Sequence, residues 1–389
     1  MSSLLTNTSA LTALQTLKST NQSLEQSNER VSTGLSINTA KDGAAYWSIA
    51  TSLRSDNNSI GAVKQGLGLG GNSVNIAYQG LNQANDILKS IQGKLNLSLS
   101  PGTDKFKTQT EINSLLTQLK QVATGASQGG ESWLSIDSTS GSGYQNIRKI
   151  VSSFTRVQGN IQVDNLEVDL NTVKLYDKNT TAGTSGTDAS QTSLATYQTA
   201  KSSYDAAATT YKTSAQTAGD LTTWTNATNT YNTAKSTFDT AVETANKAAT
   251  KGADGKGGIL NTQYAVFGTD ENGFRKQYQL AVKDIDITTS QNTDLSKIRA
   301  FIQVVDRAQK SIQDSASVLG SMQLQVESQK NFIDALTKAN TTSIGTLVDA
   351  DMEEESTRLK ALQTQQQLGI QALTIANQST QSILSLFRS

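Results

Sequence analysis

The stretch from Arg30 to Ala50 reads RVSTGLSINTAKDGAAYWSIA and carries the residue types of a small polar site. Two glycines, an asparagine and an adjacent lysine and aspartate lie close together, a combination that could hold a phosphate or place a catalytic carboxylate. The stretch also lies between two segments with a heptad pattern, so the same residues suit a joint between helices. The elements around it must decide between these two interpretations.

Composition excludes most catalytic chemistry. The 389-residue chain contains no His and no Cys, which removes histidine bases, thiol nucleophiles, thiolate metal sites and disulfides. Lys+Arg and Asp+Glu balance at 33 each, and no basic run indicates nucleic acid. We therefore expect no enzyme activity, no cofactor, no metal site and no nucleic-acid partner.

Three further stretches could bind a ligand, and a structural interpretation is favoured for each. Asp349–Glu355 is acidic enough for a cation, but it lacks alternating oxygen ligands around a glycine turn, so we interpret it as a helix start. Gly66–Gly71 resembles a phosphate loop but lies inside a heptad run with no preceding strand. Gly268–Gly273, between two aromatic segments, is predicted to be a hairpin turn.

Heptad patterns predict long helices in the first part of the chain. The first helix has a stripe weakened by two asparagines: Ala10, Leu14, Leu17, Asn21, Leu24, Asn28 and Val31. The next stripe predicts a long rod that ends before Pro101 and recurs without a miss: Leu53, Ile60, Leu67, Val74, Leu81, Leu88 and Leu95. A shorter helix, expected to fold back as an αα-hairpin, carries Ile112, Leu115, Leu119 and Val122.

The far end mirrors this arrangement. A heptad helix carries Ile298, Val305, Ile312, Leu319, Val326 and Ile333, and we expect it to break at Asn340–Gly345. A final helix presents one face made of Met352, Leu359, Leu362, Gly369, Leu373, Ala376, Ile383 and Phe387. Helices with weak stripes need partners to be stable, so we expect the terminal helices to order upon assembly.

The middle of the chain has different chemistry. Asn165–Leu170 and Ala281–Ile287 alternate apolar with polar residues and are predicted to be strands. Between them, Tyr197–Asp205 recurs as Tyr231–Asp239, which predicts a hairpin of two helices with aromatic rings over alanines. The Ser/Thr-rich block Thr180–Thr250 is either O-glycosylated or simply a polar surface, and the sequence leaves both possibilities open.

These patterns predict a mainly α fold with a small β portion, in which long antiparallel, coiled-coil-like helices come from both termini. An inserted, solvent-facing domain carries the α-hairpin and short strands. We expect three domains: 1–44 with 346–389 as a terminal helical domain, 45–175 with 286–345 as a long-helix rod domain with a β-hairpin, and 176–285 as a variable surface insertion. No apolar stretch is long enough to span a membrane, and the first residues do not match a Sec signal.

The two ends of the chain resemble those of bacterial flagellins. Arg30–Ala45 is similar to the N-terminal signature of that family, and Tyr46–Ala50 is similar to flagellins of alphaproteobacteria. The C-terminal signature aligns without a gap at Asp349, Asp351, Glu355, Leu359, Gln363, Gly369, Leu373, Ala376–Gln378 and Gln381–Leu384. Gly43, Tyr46 and Thr380 depart from the usual pattern.

The resemblance implies a structural subunit that polymerises into the extracellular helical filament of the flagellum, the propeller for swimming. It implies that the terminal domain lines the inner tube of the filament. It further implies export through the flagellar type III apparatus, with an export chaperone and the filament cap as partners. A hook–filament junction protein and a secreted helical adhesin are the alternatives.

The opening stretch is therefore interpreted as a joint that faces neighbouring subunits, with the candidate residues Arg30, Gly34, Leu35, Asn38, Lys41, Asp42 and Gly43. The terminal helices are expected to pack through Leu14, Leu17, Leu24, Val31, Leu359, Leu362, Leu373 and Ile383. Enteric-type flagellins carry a Gln-Arg-x-Arg-Glu-Leu run that the innate flagellin receptor recognises. The corresponding Lys89–Lys94 lacks it, so we expect weak or no receptor activation.

Overall fold

A computed structural model describes residues 7–139, 141–157, 160–179, 187–251, 257–290 and 295–386. Contacts divide the chain into two compact units, Met1–Lys64 with Asn331–Ser389 and Gln65–Lys330, and each is described by itself. Across the described ranges the architecture is mainly helical, with seven α-helices and four small pairs of strands. This confirms the predicted fold class.

The first unit contains the terminal helices. Helix α1 (Thr8–Thr33) begins after Asn7, whose side chain accepts a hydrogen bond from the Ala10 amide. Helix α7 (Met352–Leu386) packs against α1. The start of α2 (Ala40–Leu97) and the end of α6 (Ser296–Val348) complete this unit and are linked by hydrogen bonds between Asn57 and Asn340 and between Asn57 and Thr341.

The predicted break at Asn340–Gly345 is wrong, because α6 continues to Val348. The threonines of this segment donate their hydroxyl protons to carbonyls four residues earlier, Thr341 to Thr337 and Thr342 to Lys338. This bond satisfies the hydroxyl inside the helix, so a Thr-rich run need not end it. The chain leaves the helix only at Asp349–Asp351, just before α7.

The second unit is built on the rest of α2 and α6. In this unit the predicted α2 stripe is buried from Leu67 through Leu95, which confirms the heptad pattern there. Hydrogen bonds between Asn75 and Gln323 and between Gln92 and Gln309 show that the two helices run antiparallel. Helix α3 (Lys105–Gly125) folds back after Pro101 as predicted, with Ile112 and Leu119 buried.

The β portion of the second unit consists of short pairs. Strands β1 (Ser127–Gln128) and β2 (Glu131–Ser132) are antiparallel, and β3 (Ser135–Ile136) pairs in parallel with β6 (Tyr176–Asp177). The two longer antiparallel hairpins are β4 with β5 (Ile147–Val157 with Asn160–Asp169) and β7 with β8 (Tyr264–Thr269 with Arg275–Leu280). The turn predicted at Gly268–Gly273 joins β7 to β8, and Gly273 adopts a φ of 82° there.

The strand predicted at Ala281–Ile287 is wrong. This segment contains a 3₁₀ turn at Val282–Asp284, after which the side chain of Gln109 on α3 binds the Ile285 carbonyl and the Ile287 amide. Its apolar residues are nevertheless buried. The alternation of apolar and polar residues therefore indicates which side chains are buried, and not that the segment pairs as a strand.

The predicted α-hairpin is formed by α4 (Thr187–Thr213) and α5 (Ala218–Lys251). Its rings stack across the two helices, Tyr204 on Tyr231 at 5.3 Å and Tyr211 on Trp224 at 5.1 Å. The guanidinium of Arg275 on β8 holds the hairpin in place, because it lies over the rings of Tyr197, Phe238 and Phe267 and pairs with Asp239.

Candidate assembly site

The joint predicted from Arg30 to Gly43 is made by two chain segments held together by backbone hydrogen bonds. The Ser36 amide donates to the Val348 carbonyl at 2.8 Å, and the Ala350 amide donates to the Gly34 carbonyl at 2.9 Å. Leu35 thus forms an antiparallel bridge with Asp349. The link between α1 and α2 and the link between α6 and α7 are therefore one structure.

Glycine has a backbone role at only one of the two joint positions. Gly34 ends α1 with a φ of 72°, a left-handed conformation, and its amide donates to the Arg30 carbonyl. Gly43 has a φ of 171° and a ψ of 86°, which interrupts the helical run of α2 with extended backbone that other residues also adopt. The side chain of Ile37 packs over Gly43.

The polar residues of the joint cap the start of α2. One carboxylate oxygen of Asp42 accepts hydrogen bonds from the amides of Asn38 and Thr39 and from the Thr39 hydroxyl. The hydrogen bonds from Thr39 hold the pKa of Asp42 below its ordinary value, and the bond from its backbone amide has the larger effect. The side-chain amide of Asn38 donates a hydrogen bond to the carboxylate of Glu29 near the end of α1. Lys41 is exposed. These residues shape the joint and leave Lys41 facing solvent.

Arg30 belongs to a polar cluster between α1 and α7. Its guanidinium pairs with Glu355 at 3.0 Å, and the Ser27 hydroxyl donates to the other carboxylate oxygen at 2.8 Å. Arg358 reaches Glu355 from the same helix at 3.3 Å. Glu355 is only 5% exposed, so this carboxylate depends on its partners.

The apolar side chains predicted to pack the terminal helices are half-buried or exposed where the structure describes them. Leu17 lies over Gly369, and the half-buried residues of the predicted set are Leu17, Leu24, Val31, Leu359, Leu362 and Leu373. Leu14 is 53% exposed. The side chain of Ile383 and the whole of Phe387 lie outside the described residues.

Sequence reasoning missed the most deeply buried residues of this contact. The most buried side chains of α1 are Thr20 and Ser27, one position before the asparagines of the predicted stripe. Glu355 was interpreted only as a helix-start carboxylate. It does lie in the first turn of α7, where Asp351 caps the Glu353 and Glu354 amides, but its side chain also enters the contact with α1. The sequence signal that could have revealed this polar contact was the spacing of Ser27 and Arg30, which are three residues apart and so lie on one helix face.

Acid should weaken the α1–α7 contact through Glu355. Burial raises the pKa of Glu355, but hydrogen bonds from Arg30 and Ser27 outweigh it and hold the pKa below the ordinary 4.5. Because the folded-state pKa is the lower one, this stability is complete above pH 4.5 and is lost as pH falls through the folded-state pKa. Urea unfolding of the wild type and Glu355→Gln should differ at neutral pH and converge in acid. A difference that is constant with pH would contradict this.

The two joint glycines should respond differently to alanine. Gly34→Ala is expected to cost about 1–2 kcal/mol, because its open surroundings leave only the left-handed backbone as a penalty. Gly43→Ala should change stability by less than about 1 kcal/mol, since only the Ile37 methyl group must move. Chemical unfolding of the two variants under the same conditions measures the difference. Equal losses would show that the extended backbone at Gly43 also requires glycine.

Comparisons with known proteins match both ends of the chain. A family model for the bacterial flagellin N-terminal helical region matches residues 4–139, and one for the C-terminal helical region matches residues 302–387. Flagellin D of Rhizobium meliloti is 37% identical over 406 residues, with 100% of both chains covered. The chain belongs to the bacterial flagellin family. Flagellin A of Rhizobium meliloti and a flagellin of Brucella melitensis biotype 1 are 36% and 35% identical, again over 100% of both chains.

As a flagellin, the protein is a structural subunit of the flagellar filament, which lies outside the cell. Matches over the whole chain favour this function over a junction protein or an adhesin. Within the described residues no helix is long and apolar enough to cross a membrane. The same part of the chain contains no group of three or more acidic side chains arranged to hold a metal ion.

Proposed function

We propose that this flagellin polymerises through its terminal helices and through the joint residues Arg30, Gly34, Leu35, Asn38, Lys41, Asp42 and Gly43. The observation that carries this proposal is the exposure of large apolar side chains on both terminal helices: Leu11, Leu14, Leu368, Ile370 and Ile375. Two helices alone cannot bury residues on so many faces, and such apolar surface on a secreted protein indicates a partner. A second copy of the chain is that partner.

Electron microscopy of the purified protein tests the proposal. We expect helical filaments from the wild type and none from a variant carrying Leu368→Ser and Ile375→Ser. Leu221→Ser, which replaces an exposed leucine of the α4–α5 hairpin, is the matched control and should still polymerise. Filaments from the double variant, or none from the wild type, would refute the role of the terminal helices.

The domain division fits this assembly. We assign residues 1–44 with 346–389 to the inner tube, 45–175 with 286–345 to the surrounding rod layer, and 176–285 to the outer surface. The weak contact between α1 and α7 supports an inner layer that is completed by neighbouring subunits. The polar exterior of α4 and α5, where many threonine hydroxyls bond to their own helix, supports an outer position in contact with water.

Export through the flagellar type III apparatus, with an export chaperone and the filament cap as further partners, follows as a proposal from membership of the family. Disabling the export apparatus while general secretion remains intact should abolish the extracellular protein. We also infer that the subunit acts without catalysis, since the whole chain lacks His and Cys.

We further propose weak or no activation of the innate flagellin receptor. The segment Lys89–Lys94 lacks the two arginines and the leucine of the enteric run. Its lysines are paired within the chain, Lys89 with Asp86 at 3.0 Å and Lys94 with Glu111 at 2.6 Å. A receptor reporter assay should respond far less than to an enteric flagellin. A response of equal size would refute the proposal.

A further inference from the structure

The contact between α1 and α7 has little apolar depth to fix its register. Those of its leucines whose side chains are described are half-buried at best, and the deepest α1 side chains are the small polar residues Thr20 and Ser27. Sliding by one heptad puts Leu17 and Leu24 where Leu24 and Val31 had been, and Ala10 where Leu17 had been, so much of the apolar contact is retained. Apolar packing alone therefore does not select a single register.

Polar contacts also cross the pair, from the Asn7 side chain to the Ala376 carbonyl and from Gln366 to Asn21. The charged and most deeply buried one lies at one end of the contact and is made of Ser27, Arg30 and Glu355, which we name the register cluster. Arg30 lies in the last turn of α1 and Glu355 in the first turn of α7. A cation at a helix C-terminus and an anion at a helix N-terminus both complement the helix dipoles. The register cluster also adjoins the joint, because the Gly34 amide binds the Arg30 carbonyl.

No other register reproduces these contacts. A shift of one heptad toward the start of α1 places Glu355 opposite Thr20, with Ser23 where Arg30 had been. Arg30 is the only arginine of α1, so the shifted carboxylate loses this guanidinium and keeps only that of Arg358, whose side chain is 52% exposed. Removing one partner from a buried charge is more costly than a lost leucine contact. The charge therefore favours the native register, alongside the bridge between Leu35 and Asp349 at the joint.

We propose that the register cluster is the specificity determinant that makes α1 pair with α7 in a single register. Its consequence for assembly rests on the proposed function, since a subunit with shifted terminal helices would present the wrong apolar side chains to its neighbours. Single buried polar residues fix register in the same way in coiled coils.

Disulfide formation in the unpolymerised full-length chain tests the proposal, because the chain has no native Cys. Leu17→Cys with Gly369→Cys reports the native register, since a Cβ at Gly369 lies 3.8 Å from that of Leu17, within disulfide range. Ala10→Cys with Gly369→Cys reports the shifted register, because Ala10 lies one heptad earlier. With an intact register cluster, we expect only the native pair to oxidise.

Glu355→Leu removes the charge while keeping the helix. The yield of the Ala10→Cys/Gly369→Cys disulfide, which reports the shifted register, should then rise by roughly tenfold or more. Glu353→Leu, which replaces an exposed carboxylate in the same turn, should leave the native disulfide alone. The proposal is overturned if Glu355→Leu still gives only the native disulfide. It is also overturned if both disulfides are lost, because the cluster would then only stabilise the contact. Failure of the proposed function is seen separately, as an absence of filaments from the wild type.

Discussion

Lys174→Met is expected to destabilise the unit Gln65–Lys330 by about 3–5 kcal/mol, the usual cost of breaking a buried ion pair by removing one partner. The Lys174 side chain is 1% exposed and its ammonium lies 2.9 Å from the carboxylate of Asp177, which is fully buried. The substitution leaves Asp177 charged and buried without its cation. Methionine fills a similar volume, so the loss of stability comes from the missing charge and not from a cavity.

The surroundings of Asp177 explain why the pair is costly to break. Burial raises the pKa of Asp177, but hydrogen bonds from Ser138, Lys174 and Asn179 outweigh it and hold the pKa below its ordinary value. The same residue's carbonyl accepts a hydrogen bond from Asn261 at 2.6 Å. Asp177 therefore links the segment before α4 to the segment after α5, where Asn261 lies.

Urea unfolding of the full-length chain measures the effect, and Lys178→Met is the matched control. Lys178 pairs with Asp137 at 3.1 Å, but its side chain is 77% exposed. Exposed pairs contribute little because water already solvates both charges, so this control should unfold much like the wild type. Equal behaviour of the two variants would show that burial does not determine the strength of the Lys174–Asp177 pair.

Two glycines in α2 should respond to alanine with opposite signs. Gly70→Ala is expected to destabilise the second unit by about 1–3 kcal/mol, because its Cβ would clash with the side chain of Ile150 on β4. The nearby Gly68 has nothing within 4 Å of the same position. Gly68→Ala should therefore stabilise the protein by about 1 kcal/mol through helix propensity.

Chemical unfolding of both variants separates the two causes. Helix propensity favours alanine at both positions, so a difference between them reports only the approach of the β4–β5 hairpin. Gly70→Ser should also be destabilising, since any Cβ meets Ile150. Stabilisation by Gly70→Ala would mean that the hairpin moves away at little cost, and that the glycine does not serve close packing.

These glycines show where sequence reasoning succeeded and where it stopped. The run Gly66–Gly71 was interpreted as part of a helix because it lies within a heptad pattern, and this is confirmed. Which element approaches was not predictable, since Ile150 is distant in sequence and lies on a hairpin. Likewise, the alternating pattern of Ala281–Ile287 indicated burial correctly but gave the wrong backbone conformation.

The sequence by itself determined the long helices, the fold-back after Pro101, the α-hairpin repeat and the family, because periodicity and terminal signatures are local properties. Tertiary structure alone decided that α6 passes through Asn340–Gly345, that Gly34 is the left-handed residue of the joint, and that Glu355 is buried against Ser27 and Arg30. The physical reason is that these features also involve contacts that exist only in the folded chain. Glu355 meets Ser27 and Arg30, the Gly34 carbonyl accepts a hydrogen bond from Ala350, and Asn340 on α6 binds Asn57 on α2.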